Sequence, residues 1–273
     1  MTGTGPLLQV ENLKVAYPIR SSILLRKTGE NVAVSDVNFE LSAGQTVGLV
    51  GESGSGKSTV ARTVIGLVKP SAGRIRFDGQ DITDYSPRQL KSVRRQMQMI
   101  FQDPQASLNP RLTVRDIIAE GWRVHPGLVA RSRWTAEVKE LLERVGLNPD
   151  YSDRYPHQFS GGQRQRIGIA RALALRPKLI ICDEAVSALD VSVQAQVLNL
   201  LDDLQRELNL AYLFISHDLS VVEHICDRVM VLNRGVVVEE GTAVELFENP
   251  QDEYTKRLFA AVPVVRPWLE QTP

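Results

Sequence analysis

The first third of the chain alternates apolar and polar residues at several points. Leu7 to Tyr17 and Val32 to Leu41 follow the period of two that is typical of half-buried strands, and a polar, basic connection at Ile19 to Asn31 separates them. Arg74 to Gly79 is a third run of this kind and ends in an Asp-Gly pair, which favours a tight turn. The three runs predict an antiparallel sheet.

Three other runs are mainly apolar and predict buried strands; they lie at residues 46–50, 178–185 and 211–216, and the second of them runs into acidic residues. Helical periodicity follows the first run after Lys57, and it returns at residues 163–175 and 193–208. Residues 227–241 predict a hairpin turned at Asn233 to Gly235, and short helices follow to about Val262. Because strands and helices alternate, we expect an α/β fold with a mostly parallel sheet, whose ligands lie outside the carboxyl ends of the strands.

Residues from about 86 to 158 have a mostly helical pattern that polar, proline-bearing joints interrupt. They predict a helical lobe inserted between the antiparallel strands and the later strands. We therefore expect one large domain over residues 1–262, with the helical lobe inside it, and a short irregular tail at 263–273.

Composition narrows the class of protein. The 273 residues include 32 Lys plus Arg and 32 Asp plus Glu, so no basic field favours non-specific binding to nucleic acid. We expect neither a membrane anchor nor a secretion signal, because no apolar stretch approaches the roughly 20 residues of a membrane span and the N-terminus lacks a basic region followed by an apolar one. Cys182 and Cys226 each lie in an apolar run, which indicates buried free thiols rather than a disulfide or a metal pair.

The segment GESGSGKS, Gly51 to Ser58, stands between a predicted buried strand and a helical pattern. Its glycines let backbone N–H groups turn towards a phosphate group, and the helix N-terminus that follows favours anions. Lys57 is placed to reach the β- and γ-phosphates of a nucleotide, and the Ser58 hydroxyl to ligate Mg²⁺. The alternative is a glycine-rich turn without a ligand, but the order of strand, loop and helix favours the phosphate loop of a P-loop NTPase.

The apolar strand at residues 179–182 runs into two adjacent carboxylates, Asp183 and Glu184. Neighbouring residues of a strand point to opposite sides, so Asp183 can hold the metal or its water while Glu184 faces the γ-phosphate and polarises the attacking water. A pair of exposed acids at a strand end is the alternative. Their position after a phosphate loop in an alternating chain favours catalysis.

The segment FSGGQRQR, Phe159 to Arg166, places a serine and two glycines just before a helix. Ser160 is a good N-cap residue, and the backbone before the helix forms a second anion-binding end. A plain capped helix would explain Ser160 and one glycine. It does not require both glycines followed by Gln163, Arg164 and Arg166.

These segments carry a family resemblance. GESGSGKS, IFQDP, FSGGQRQR, LIICDEAVSALD and FISHD, in this order, resemble the nucleotide-binding subunit of an ABC transporter, and the similarity runs from about Leu8 to Val262. The resemblance implies an ATPase with ATP and Mg²⁺ as its cofactors. The residues that it assigns to nucleotide binding are Tyr17, Gly51, Glu52, Ser53, Gly54, Ser55, Gly56, Lys57, Ser58, Thr59 and Gln102.

The same resemblance implies individual roles. Tyr17 would stack on adenine, although an ordinary aromatic at a strand end is the alternative. Gln102 would bind Mg²⁺ and sense the γ-phosphate, unless it is a solvent-facing residue of a proline loop. His217 would bind the γ-phosphate and hold Glu184, and Asp190 would contact the opposite subunit, with a structural histidine and a helix N-cap as the alternatives. The catalytic residues would be Lys57, Glu184 and His217, and the metal ligands Ser58, Gln102 and Asp183.

The resemblance also implies a shared site. Ser160, Gly161, Gly162 and Gln163 would close over the ATP that the phosphate loop of a partner holds, so two ATP molecules lie between two head-to-tail subunits. One copy alone should be nearly inactive. The implied partners are a second ABC ATPase in a heterodimer or a homodimer, two transmembrane permease subunits and, indirectly, an extracytoplasmic solute-binding protein. The chain would be peripheral on the cytoplasmic face of the membrane, without a nucleic-acid partner.

Longer segments narrow the resemblance to the ATPases of dipeptide, oligopeptide and nickel importers, and to the second of the two ATPases in such systems. MIFQDPQASLNPRLTV, DVSVQAQVLNLL and the basic insert after Tyr17 carry it. Dipeptides, longer peptides, nickel chelates and glutathione-like molecules all remain open as substrates. Many relatives have a cysteine-bearing tail, which this chain lacks, so we expect no iron–sulfur cluster. Ala185 stands where relatives usually have proline, which leaves the rigidity of that loop open.

Three other functions compete with that of an importer ATPase. An ABC ATPase acting on nucleic acid or ribosomes usually has two cassettes, a coiled coil or a zinc-binding lobe, and the sequence has none of these. A P-loop kinase would have no use for the Ser-Gly-Gly-Gln segment and His217. A subunit that binds ATP without turnover is disfavoured by the presence of both Glu184 and His217.

Overall fold

The computed structural model describes residues 5–20 and 27–260 of the chain. These residues form two compact units. The first contains the residues up to Leu90 together with those from Leu213, and the second is Lys91–Tyr212. The predicted tail at 263–273 lies outside the described residues. The domain boundaries that the sequence suggests stay a prediction.

The first unit contains an antiparallel sheet built from the alternating runs. The elements of this part of the chain are β1 (Leu8–Arg20), β2 (Lys27–Leu41), β3 (Thr46–Val50), α1 (Lys57–Val64), β4 (Ala72–Phe77) and β5 (Gln80–Asp81), and all these strands except β3 belong to the antiparallel sheet. The strand order in this sheet is β2-β1-β4-β5, and Leu8 lies opposite both Leu41 and Phe77. All three side chains are buried, which is why the alternating pattern holds these strands together. The antiparallel sheet that the sequence predicts is confirmed.

The later part of the chain adds a second group of elements to the first unit. They are α8 (Leu219–Ile225), β9 (Arg228–Asn233), β10 (Val236–Thr242), α9 (Ala243–Glu248) and α10 (Glu253–Ala260). Strand β3 pairs in parallel with β9, and β9 and β10 form the predicted antiparallel hairpin. Arg234 and Gly235 both have positive φ in its turn, at 47° and 82°, as a type I′ turn requires. The hairpin prediction is therefore confirmed.

The second unit combines helices with buried strands. Its elements are β6 (Met97–Ile100), α3 (Pro104–Ser107), α4 (Val114–Val124), α5 (Trp134–Arg144), α6 (Gly161–Leu173), β7 (Leu179–Asp183) and α7 (Val191–Leu208). Helix α2 (Pro87–Gln96) and strand β8 (Ala211–Ile215) each have residues in both units. Within the helical part, Trp122 is buried, and its indole N–H donates to the Ala174 carbonyl oxygen at 2.8 Å. This bond ties α4 to the end of α6.

Two sequence predictions require correction. The stretch Ile19 to Asn31, interpreted as a connection, is strand at both ends, since Ile19 pairs with Gly29 and Arg20 with Lys27. Because Tyr17 and Ile19 are 42% and 50% exposed, they do not mark a buried face, and the sequence after Ile19 lacks the apolar alternation that indicates a half-buried strand. The second correction is β6, which lies inside the stretch interpreted as mostly helical and pairs in parallel with β7. Its four residues, MQMI, are too few and too poor in β-branched residues to indicate a strand.

Both cysteines are buried and neither is in a disulfide, as their apolar surroundings predict. Complete burial raises the pKa of the Cys182 thiol, and the neighbouring Asp183 carboxylate adds to this effect. The thiol therefore stays protonated at neutral pH and places no second negative charge beside Asp183.

Candidate functional site

The phosphate loop joins a buried strand to a helix in the first unit. All five residues of β3 are buried, and the chain leaves the strand at Gly51 and enters α1 at Lys57. Gly56 occupies the N-cap position of α1 with a φ of 109°, and glycine has no side chain with which to cap the first turn of this helix. The N–H groups of that turn and the positive end of the helix dipole can therefore serve an anion.

Glycine is required at both ends of this loop. Gly51 and Gly56 have φ values of 148° and 109°, which side-chain-bearing residues rarely adopt. A Cβ atom at Gly51 would also collide with the carbonyl oxygen of Leu232, and one at Gly56 would lie 2.6 Å from that of Ala33. The loop therefore packs closely against the end of β9 and the middle of β2, and that packing fixes its shape.

Lys57 is the buried cation of the loop, with 5% of its surface exposed. Its ammonium group donates to the carbonyl oxygens of Gly51 and Glu52, at 2.6 and 2.8 Å. The lysine therefore lies along the inside of the loop, with its charge at the loop's own backbone. A buried ammonium in a ring of backbone groups is suited to neutralise a phosphate group.

The acidic pair lies in the second unit, at the carboxyl end of β7. Asp183 is the last residue of the strand and is 9% exposed, whereas Glu184 has left the strand and is half-buried. The backbone of Glu184 has a φ of 52°, the left-handed region that a non-glycine residue adopts only when its surroundings hold it there. The backbone N–H and hydroxyl of Ser187 both donate to the Glu184 carbonyl oxygen, at 3.2 and 3.0 Å.

Gln102 is in direct contact with Glu184, the second residue of this pair. Its side-chain amide donates to the Glu184 carboxylate at 2.7 Å. The sequence indicated both residues but not this bond, because 82 positions separate them along the chain. The bond orients the Glu184 carboxylate, and it places the Gln102 amide oxygen, a suitable Mg²⁺ ligand, next to an acid.

The segment Ser160–Gln163, which we call the signature, also lies in the second unit, where it begins α6. Ser160 is the N-cap: its hydroxyl accepts from the Gln163 backbone N–H at 3.3 Å, and the Gln163 side chain accepts from the Ser160 N–H at 3.0 Å. A Cβ atom at Gly162 would collide with Val193 on α7, whereas one at Gly161 would make only an ordinary contact. The capping box accounts for Gln163, and the packing of α6 on α7 accounts for Gly162, so neither residue by itself requires a ligand. The role of the segment in binding ATP stays a prediction.

The remaining candidates are exposed to different degrees. Tyr17 is 42% exposed and lies inside β1, opposite Asn31, rather than at the strand end. His217 is exposed and lies two residues after the end of β8. Asp190 occupies the N-cap position of α7, but its side chain makes no capping hydrogen bond there within the described residues. The N-cap alternative for Asp190 therefore has the right position but not the bond.

The structure thus places the site residues in two groups. Residues 51–59, Tyr17 and His217 belong to the first unit, and Gln102, residues 160–163, Asp183, Glu184 and Asp190 belong to the second. Within each group the contacts above fit the predicted ligand. A strongly curved backbone with a buried lysine suits a triphosphate, and hydroxyl, amide and carboxylate oxygens are the donors that Mg²⁺ prefers.

The fold and these residues define a P-loop ATPase. The chain belongs to the ABC transporter family, whose model matches residues 34–187. ATP hydrolysis is accordingly the activity of this chain, with Mg²⁺ as the cation that neutralises charge on the phosphates.

Two curated relatives are closely similar in sequence. The chain is 57% identical to the oligopeptide transport ATP-binding protein AppF of Bacillus subtilis over 95% of its own length and 79% of that protein. It is also 57% identical to the glutathione import ATP-binding protein GsiA of Escherichia coli strain K12, over 96% of its own length. The chain spans only 42% of the length of that second relative.

Solved structures agree on the fold. The dimer of an ATP-binding cassette in a post-hydrolysis state, bound to ADP and Pi, is 28% identical, has a TM-score of 0.76 and covers 86% of this chain and 98% of its own. cbiO1 from Clostridium perfringens, part of an ABC transporter complex, is also 28% identical, with a TM-score of 0.78 over 97% of this chain and 99% of its own. The predicted α/β fold of a P-loop NTPase is confirmed. In the described part of the chain, no helix has the length and apolar character that crossing a membrane requires.

Proposed function

We propose that this chain is the ATP-hydrolysing subunit of an importer for dipeptides, oligopeptides or a related small solute such as glutathione. The observation that carries the proposal is the 57% identity with an oligopeptide transport ATP-binding protein over 95% of the chain. The glutathione import relative supports the same class of small peptide-like substrate. ATP binding and hydrolysis by this chain would supply the free energy of uptake.

In this proposal the residues of the two units divide the work. Lys57 and the phosphate loop bind the β- and γ-phosphates, Tyr17 stacks on adenine, and Ser58 offers its hydroxyl to Mg²⁺. Glu184 accepts the proton of the attacking water, and His217 donates a hydrogen bond to the γ-phosphate. Gln102 and Asp183 complete the metal ligands from the carboxyl ends of β6 and β7. The contact between Gln102 and Glu184 supports the two acting together.

The proposed assembly contains a second ABC ATPase, arranged head to tail with this chain, and two transmembrane permease subunits on whose cytoplasmic side the pair sits. An extracytoplasmic solute-binding protein would select the substrate. Ser160 and the two glycines that follow it would contact ATP on the partner ATPase. A binding role for them is supported by their place at the N-terminus of a 13-residue helix, where backbone N–H groups attract anions.

Copurification tests the proposal. The tagged chain is expressed at its native level, membranes are solubilised gently, and the proteins that copurify are identified by mass spectrometry. We expect two permease subunits and a second, similar ATPase. The binding protein of the same system is then titrated with dipeptides, longer peptides, glutathione and nickel chelates, which separates the substrate classes. A particle that contains ribosomes or DNA and no permease would contradict the transport proposal while leaving the ATPase activity intact.

A further inference from the structure

A tyrosine of the last described helix contacts the phosphate loop. The Tyr254 hydroxyl on α10 accepts a hydrogen bond from the Glu52 backbone N–H at 3.1 Å, although 202 positions separate the two residues. Both belong to the first unit, and Tyr254 is half-buried. Neither the phosphate-loop pattern nor the signature indicates this residue, because it lies far from both in the sequence.

Tyr254 is held in place by its own surroundings. The Asp252 carboxylate caps α10 by accepting from the backbone N–H groups of Tyr254 and Thr255, at 2.8 and 3.3 Å. The Glu239 carboxylate on β10 accepts from the backbone N–H groups of Gln251 and Asp252, at 2.7 and 3.0 Å. The start of α10 is therefore fixed to β10, and the tyrosine reaches the loop from a rigid support rather than from a free end.

Tyr254 contacts the backbone of Glu52, a residue whose carbonyl oxygen also takes part in hydrogen bonds within the loop. The carbonyl oxygen of Glu52 accepts from the Lys57 ammonium at 2.8 Å and from the Ser55 N–H at 3.2 Å. Glu52 is thus bonded through both its N–H and its C=O. When Lys57 turns to a phosphate group, its bonds to the loop carbonyls weaken, whereas the bond from Glu52 to Tyr254 does not involve the lysine.

We propose that Tyr254 is a positioning residue for the nucleotide: it holds the Glu52 peptide so that the loop keeps its phosphate-binding shape when Lys57 leaves the loop carbonyls for the phosphates. The tyrosine contributes to affinity by reducing the conformational freedom that the loop would otherwise lose on binding. Its role is in binding and not in the chemical step.

The test compares Tyr254→Phe with Tyr85→Phe in the full 273-residue chain. Both substitutions remove one tyrosine hydroxyl, but the Tyr85 hydroxyl donates to the exposed Gln80 side chain, at 3.4 Å, and not to the phosphate loop. MgADP is titrated into each protein by calorimetry, which measures binding without turnover, and the unfolding midpoint of each protein is measured without nucleotide. Because the loop without this bond must lose more conformational freedom when it binds MgADP, the dissociation constant of Tyr254→Phe is expected to rise about three- to tenfold.

The expected result is weaker MgADP binding by Tyr254→Phe with an unfolding midpoint unchanged to within about 2 °C, and wild-type affinity for Tyr85→Phe. A dissociation constant of Tyr254→Phe within twofold of wild type would overturn the proposal. So would a loss of affinity that occurs only with a lowered unfolding midpoint, because Tyr254 would then be a structural tie.

Discussion

Glu184 is held in an uncommon conformation, and its carboxylate has a defined partner. Its φ of 52° costs free energy in isolation, and the two hydrogen bonds from Ser187 offset part of that cost. The Gln102 amide then orients the carboxylate. Strain of this kind at a half-buried acid is typical of functional positions, because selection for stability alone would favour glycine or asparagine here.

Replacing Glu184 with Gln tests the role of its carboxylate. Glutamine has the same shape and its carbonyl oxygen can still accept from Gln102, but it cannot take a proton from water. We expect ATP turnover to fall by about 10² or more, while the dissociation constant for MgATP stays within about threefold of wild type. Size-exclusion chromatography with MgATP should show a dimer that persists because hydrolysis no longer opens it.

The matched control for this substitution is Glu207→Gln. Glu207 is exposed and pairs with Arg144 at 3.0 Å, so its loss should change both turnover and stability little. Turnover by Glu184→Gln equal to that of the control would exclude Glu184 as the general base.

The two glycines at the start of helix α6 differ in their surroundings. A Cβ atom at Gly162 would collide with Val193 on α7, whereas a Cβ atom at Gly161 would make only an ordinary contact. We expect Gly162→Ala to lower the free energy of unfolding by about 1–3 kcal/mol, and Gly161→Ala to change it by less than about 0.5 kcal/mol. Urea unfolding of the two variants measures the difference.

A second substitution checks the cause. Val193→Ala removes the colliding methyl groups, so the double variant Gly162→Ala, Val193→Ala should recover part of the lost stability. Equal destabilisation by the two single glycine-to-alanine variants, or no recovery in the double variant, would contradict a packing origin for Gly162.

Asp190 lies at the N-cap position of α7, and its two possible roles are to cap this helix or to contact the opposite subunit. Thr242 caps α9 through a reciprocal capping box with Glu245, whereas the Asp190 side chain makes no such bond within the described part of the chain. Thr242→Ala should therefore cost about 1 kcal/mol of stability, and Asp190→Ala less than about 0.5 kcal/mol. Thermal unfolding measures both.

If Asp190 contacts the opposite subunit, its replacement should lower the turnover of the dimer. A loss of stability like that of Thr242→Ala, with full turnover, would instead favour the capping role.

Sequence patterns predicted most of these elements because burial imposes them. Strands β3, β7 and β8 are buried at all five positions, which gives short, continuously apolar runs that indicate buried strands. Strand β6 was not predicted because it is defined by its pairing with β7, in which Met97 lies opposite Leu179. No local sequence pattern contains such a long-range pairing. Likewise, the family resemblance predicts that Gln102 and Glu184 belong to the site, but their hydrogen bond depends on how the residues after β6 and β7 meet in the fold.

A single copy of this chain contains a phosphate loop, an acidic pair and a signature, but in the proposed assembly its signature contacts the ATP that the partner ATPase binds. Dimers occur among its structural neighbours, one of which is the dimeric structure of an ATP-binding cassette. Turnover should therefore rise more steeply than linearly with the concentration of the chain wherever it forms a homodimer. A strictly linear dependence down to nanomolar concentration would mean that a single copy contains all the catalytic groups.

The substitution Ser160→Asp tests the shared site without disturbing the fold. Aspartate caps a helix as well as serine and favours the positive end of the α6 dipole, so the unfolding midpoint should change little. Its negative charge would face the phosphates of the ATP that Ser160 contacts. We expect hydrolysis by the assembled ATPase pair to fall at least about tenfold, because an anion replaces a hydrogen-bond donor at the phosphates.

MgATP binding by the isolated variant should stay at the wild-type level, since the chain's own phosphate loop is unchanged. If the isolated variant lost ATP affinity as strongly as the pair loses turnover, Ser160 would contact the chain's own ATP, and the head-to-tail arrangement would be wrong.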